Sequence, residues 1–197
     1  MTLDVYIPFL LFVLVMTGTP GMGNLSMLAI GQATGFRSAL PFLAGTTAGA
    51  LTLNLGVSLG LGGIVAASPV VALALKVGGG LYILYLAWKL LTMQFAPTDA
   101  VRRFTFVDGL FLHPLNPKSW AMSVVGFGML VDPAAPMATQ VAAFVGTFLV
   151  FQVSCHSLWG WAGAALLRGL KSRTVLLGVN LCLVTVMVGA TMYALFV

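Results

Sequence analysis

The stretch SALPFLAGTTAGALTLNLGVSLGLGGIVAASPVVALAL runs from Ser38 to Leu75 without a single charged side chain. A bilayer core about 30 Å thick is crossed by about 20 apolar residues of helix, so this stretch is too long for one crossing. Gly60, Gly62, Gly63 and Ser68-Pro69 punctuate its middle, and it reads as a hairpin of two membrane helices, the second continuing to about Met93. Working outward, a first helix spans about Val5 to Ile30. Beyond a polar segment with Pro97, Asp99, Arg102 and Arg103, a fourth covers about Phe106 to Val131. A turn from Asp132 to Pro136 leads to a fifth, about Met137 to Leu167. After Arg168, Lys171 and Arg173, a sixth runs from about Val175 to the C-terminus. The expectation is an all-α integral membrane protein of six transmembrane helices, residues 1–197 forming a single transmembrane domain.

Composition agrees. The chain is 60% hydrophobic and 7% charged, whereas soluble surfaces are about 25–35% charged. Soluble, disordered and disulfide-scaffold classes are excluded on this ground. The net charge of +5 is scattered between apolar blocks without a basic patch, so no nucleic-acid partner is expected. Long continuous blocks also argue against a β-barrel, whose segments of about 10 residues alternate apolar and polar. The N-terminal block lacks a basic leader and carries Asp4 as its only early charge, so it reads as a retained helix.

Basic residues orient the chain. Arg37, Lys89, Arg102, Arg103, Lys118, Arg168, Lys171 and Arg173 fall on one side and Lys76 alone on the other. The first side is expected to be cytoplasmic and both termini external.

Two helices carry breaks. Met16-Thr17-Gly18-Thr19-Pro20-Gly21-Met22-Gly23-Asn24 interrupts the first, and His113-Pro114-Leu115-Asn116-Pro117-Lys118 the fourth. Proline removes an intrahelical hydrogen bond, and in hydrocarbon each unsatisfied peptide group costs several kcal/mol unless protein or water supplies a partner. Matching interruptions in the first helix of each three-helix half are a pointer to a transporter binding site. Gly45-Thr46 and Gly146-Thr147 open the second helix of each half. The expected architecture is two inverted three-helix repeats, about 1–95 and about 104–197, with helices 1 and 4 interrupted near the midplane.

The segments Pro20 to Leu25, Gly79 to Lys89 and Gly109 to Lys118 resemble the LysE/RhtB amino-acid exporters, whose patterns are roughly PGPxxL, GxxYLxYLxxK/R and GxxxNxxNPK. Met22 and His113 depart from those patterns. Where many members carry acids in helices two and five, this chain offers Ala50 and Asn54, then Cys155 and His156 before Trp159. The resemblance implies a secondary exporter of amino acids or related small metabolites in a bacterial cytoplasmic membrane.

The candidate substrate site comprises Pro20, Gly21, Asn24, Asn54, His113, Asn116, Pro117 and Lys118, with His156 as the proton-coupling residue. An ionisable side chain inside a membrane helix is a functional candidate by default; a neutral histidine bonded to a carbonyl or hydroxyl is the alternative. Lys118 fits either a headgroup anchor or a carboxylate contact. Gly45, Gly49, Gly56 and Gly60 are assigned to close helix packing. Cys155 and Cys182 read as small core residues. Enzyme chemistry has no visible equipment, and no cofactor or metal is expected. The expected partners are a small-molecule substrate and the lipid bilayer, with a homo-oligomer left open. A non-transporting membrane scaffold is the alternative reading, with a thiol or metal carrier behind it.

Overall fold

The computed structural model describes residues 2–95, 104–169 and 173–196, and every regular element among them is a helix. In chain order these are α1 (Leu3–Gly18), α2 (Met22–Thr34), α3 (Phe36–Ser58), α4 (Leu61–Ala67), α5 (Pro69–Phe95), α6 (Phe106–Leu110), α7 (Pro117–Gly128), α8 (Met137–Gly169) and α9 (Arg173–Phe196). The ends fall where chain chemistry demands. α1 stops ahead of Pro20, and α5 and α7 each begin with a proline, whose missing N–H costs no helix bond at that position. Gly60 breaks the hairpin with φ +93°, in the left-handed region that glycine tolerates.

Among the described residues, three helices are long and apolar enough to cross a bilayer: α3, α5 over Pro69–Thr92, and α8 over Met137–Leu166. α1 and α2, bent by 47° at their break, make a fourth if taken as one span. That is fewer than the six expected. The fourth expected span is divided into a five-residue α6 and a twelve-residue α7, each short of the about 20 residues a crossing needs. α9 has 24 residues and contains the apolar segment Leu177–Val186.

Many large apolar side chains face outward, and several polar ones are buried. Leu59, Val70 and Leu3 are 84%, 76% and 73% exposed, while Asn24, Gln32, Asn54, His113, Gln152 and His156 are buried. Apolar side chains facing outward, with the polar ones held inside the bundle, are what a lipid solvent requires. Two apolar clusters hold the helices together. One gathers Met27, Ile30, Phe42, Ile83 and Leu86 from α2, α3 and α5, and the other Phe9, Phe144 and Phe148 from α1 and α8.

Hydrophobic burial does not drive helices together in lipid; close packing through small residues does. A Cβ at Gly45 would meet the Phe106 carbonyl, and one at Gly49 the Leu110 carbonyl, so α6 lies directly on α3. α2 lies on α8 in the same way, Gly31 against the Gly160 carbonyl and Gly163 against the Leu28 carbonyl. Two of the four glycines assigned to helix packing play other parts: Gly60 has open space and serves the turn, and Gly56 meets only the Leu61 side chain at 3.0 Å. Gly146, aligned with Gly45 by sequence, also has nothing within 4 Å. Gly45→Ala should therefore lower stability by about 1–3 kcal/mol through overpacking. Gly146→Ala should leave it unchanged, and chemical unfolding in detergent micelles compares the two.

The described cations of the expected cytoplasmic side all stand within helices rather than loops. Lys89 is buried within α5 and Lys118 belongs to the first turn of α7. Arg102, Arg103 and Lys171 lie outside the described residues. Cys155 is buried as expected, whereas Cys182 is exposed on α9 rather than in the core.

Candidate functional site

The α1–α2 break is a built feature, because the Thr17, Gly18 and Thr19 carbonyls find side-chain donors. Asn24 Nδ2 donates to the Thr17 carbonyl at 2.7 Å and the Thr19 carbonyl at 2.8 Å, and Trp159 Nε1 donates to the Gly18 carbonyl at 3.2 Å. The second break repeats the device with different parts. Trp120 Nε1 donates to the Pro114 carbonyl at 2.8 Å, and Asn116 caps α7 by accepting from the Lys118 backbone N–H at 3.0 Å. Asn-Pro is a restart signal: a cap acceptor followed by a residue with no N–H to satisfy.

Between the two breaks lies a cavity of about 310 Å³. Pro20, Gly21, Asn24, His113, Asn116, Pro117, Lys118 and His156 all line it. Asn54 does not. Its side chain is turned to α7, where Asn54 Oδ1 accepts from Ser123 Oγ at 2.6 Å. Gln152 and Ser119 line the cavity without having been singled out from sequence. Gln152 carried a signal, since it lies four residues before His156 and so shares its helix face. No carboxylate is among the lining residues.

The two histidines are stacked, ring centroids 5.8 Å apart, and their partners fix where their protons sit. Gln152 Nε2 lies 3.3 Å from the Thr46 carbonyl, which can only accept, so this end of the amide is the donor. The same Nε2 lies 3.0 Å from His113 Nε2, which must therefore accept. His113 then carries its proton on Nδ1 and donates to Ser119 Oγ at 3.0 Å. Both of its ring nitrogens are engaged. Thr46 Oγ1 donates to the Leu43 carbonyl at 2.9 Å and so accepts from His156 Nδ1 at 3.4 Å. His156 Nε2 has no hydrogen-bond partner among the described residues and lies beside Gly23, where a Cβ would collide with the ring.

Lys118 is exposed at the cavity, and its Nζ lies 3.9 Å from where a Cβ on Gly21 would sit. The first turn of α2 is thus flanked by a cation at Gly21 and an imidazole at Gly23.

Away from the cavity, Asp108 ties α5 to the start of α6. It accepts from Lys89 Nζ at 2.5 Å, from Tyr85 Oη at 2.8 Å, and from the backbone and hydroxyl of Thr105 at 2.6 and 2.7 Å. The Tyr82 hydroxyl donates to the Asp108 carbonyl. Asp108 completes the N-terminal capping box of α6 and is also the anionic half of a buried ion pair.

An all-helical chain with a lipid-facing apolar surface and a polar cavity between two broken helices is an integral membrane protein of the transporter class. The chain belongs to the LysE type translocator family, whose model matches residues 14–196. It is 29% identical over 150 residues to the cysteine/O-acetylserine efflux protein of Salmonella choleraesuis and, equally, to that of Salmonella typhimurium. Each match covers 71% of this chain and 75% of the relative. No solved structure matches the chain.

Proposed function

We propose that the protein is a secondary exporter of amino acids or close derivatives in the bacterial cytoplasmic membrane, working by alternating access around the cavity between the two helix breaks. The observation that carries this reading is the cavity itself. A polar, cation-bearing space walled by two broken helices has no use in a passive apolar bundle, whereas transporters bind substrate where helices are discontinuous. The names of the Salmonella relatives make cysteine and O-acetylserine the first substrates to try.

In this reading the chain has two inverted halves, about 1–95 and about 104–197. The α1–α2 pair, the α3–α4 arm and α5 make the first three crossings, and α6–α7, α8 and α9 the second three. Two facts favour it: each half opens on a broken helix with a tryptophan on a freed carbonyl, and each broken helix packs on the second helix of the other half. Six crossings put both termini on one face, the external one by the positive-inside rule. The coupling ion is the proton and His156 its carrier.

Purified protein reconstituted in sealed liposomes provides the test. Labelled L-cysteine or O-acetyl-L-serine should show saturable counterflow that protein-free liposomes lack. An absence of saturable flux across these two and the common L-amino acids would remove the exporter reading in favour of a scaffold.

A further inference from the structure

The two ends of the Asn24 amide have different fates. Nδ2 is committed to the Thr17 and Thr19 carbonyls, which fixes the orientation of the group because carbonyls only accept. Oδ1 is the other end, and among the described residues it has no hydrogen-bond partner, in a buried residue only 3% exposed that lines the cavity. Buried acceptors without donors are rare in native proteins, and each calls for a physical explanation. The same turn of α2 has Lys118 Nζ 3.9 Å from the Cβ position of Gly21. No acid lines the cavity, so an incoming cation has only neutral acceptors to meet.

We infer that Asn24 Oδ1 receives the primary ammonium group of the transported molecule while Lys118 Nζ receives its carboxylate, so that the site selects zwitterions over the matching acid or amine. This rests on the exporter reading and adds to it the atoms that recognise each charge. A neutral acceptor suits an exporter: it holds the ammonium by a charge-assisted hydrogen bond, without the full ion pair that would slow release. Gly21 is part of the device, since a side chain there would stand between Lys118 and the helix turn.

The experiment uses the full-length protein in detergent and three ligands that share a thiol on a two-carbon frame. L-Cysteine carries both charges, 3-mercaptopropionate lacks the ammonium and cysteamine lacks the carboxylate. By calorimetry, L-cysteine is expected to bind at least about tenfold more tightly than either of the others, the size of effect left by one unmet charged hydrogen bond. In Lys118→Met the gap between L-cysteine and cysteamine should close while that between L-cysteine and 3-mercaptopropionate persists. In Asn24→Leu the second gap should close instead. Asn24→Gln, which keeps an amide for the α1 carbonyls but displaces its oxygen, should narrow that gap and serves if the leucine variant does not fold.

Equal binding of L-cysteine and 3-mercaptopropionate by the unmodified protein would overturn the proposal and leave the exporter reading standing. So would an unchanged gap in a folded Asn24 variant. Failure of L-cysteine, O-acetyl-L-serine and the common amino acids to bind at all would take down the exporter reading, and this proposal with it.

Discussion

Asp108→Ala, with Lys89 left in place, is expected to destabilise the protein by about 3–5 kcal/mol, the usual consequence of stranding one partner of a buried ion pair. Both side chains are under 10% exposed, at 8% and 6%. Lys89 Nζ would lose its only carboxylate among the described residues, with the rings of Tyr85 and Phe104 at 5.8 and 5.0 Å from it as remaining neighbours. The same substitution removes the acceptor for Tyr85 and opens the capping box of α6. Because α6 has five residues and cannot stand alone, its docking on α3 should loosen too. The double variant Lys89→Met/Asp108→Leu distinguishes pair from packing: with no charge left unpaired, it should recover most of the loss. Unfolding midpoints in mixed micelles would measure both. An Asp108→Ala protein as stable as the parent would mean that water reaches Lys89 and that the pair is not a buried one.

How much of this was legible depends on whether the chemistry was local. The breaks were, because proline lacks an N–H wherever it stands and Asn116-Pro117 states a helix restart within two residues. Gly45 and Gly49 were legible as a small-residue stripe, since close approach needs only an absent Cβ. Gly60 was misread because a glycine that serves a left-handed turn looks the same in sequence as one that serves packing; φ separates them. Asn54 is expected in the cavity because it stands in the part of the second helix where many members of the family carry an acid. The rotation of α3 decided otherwise and turned it to Ser123. The Lys89–Asp108 pair joins helices on either side of a polar segment, and no local pattern names such a partner. Even so, Tyr82, Tyr85 and Lys89 recur at spacings of three and four, one face of a helix, and that face is the one Asp108 meets. The count of crossings depends on more than local pattern, because a fragmented span satisfies length rules only when its pieces are added together.

His156→Gln is expected to reduce gradient-driven uptake to the level of protein-free vesicles while leaving solute counterflow measurable. The argument is one of hydrogen-bond accounting. A proton carrier needs a nitrogen that is free to accept and that faces the transported species, and of the two stacked histidines only His156 has one, at Nε2 beside Gly23. His113 is engaged at both nitrogens, by Gln152 on one side and Ser119 on the other, so a second proton on its ring would point at another donor. A glutamine at position 156 keeps an amide near Thr46 but exchanges no proton near neutral pH, which separates a structural role from a coupling one. Inside-out vesicles with an acidic lumen set the direction: protons leave as substrate enters, and the parent protein should accumulate substrate against its gradient. His113→Gln is the comparison, expected to lower stability and to spare the response to the gradient. Retention of full gradient-driven accumulation by His156→Gln would make His156 a satisfied structural histidine, and the exchange of protons would then have to be sought outside this pair.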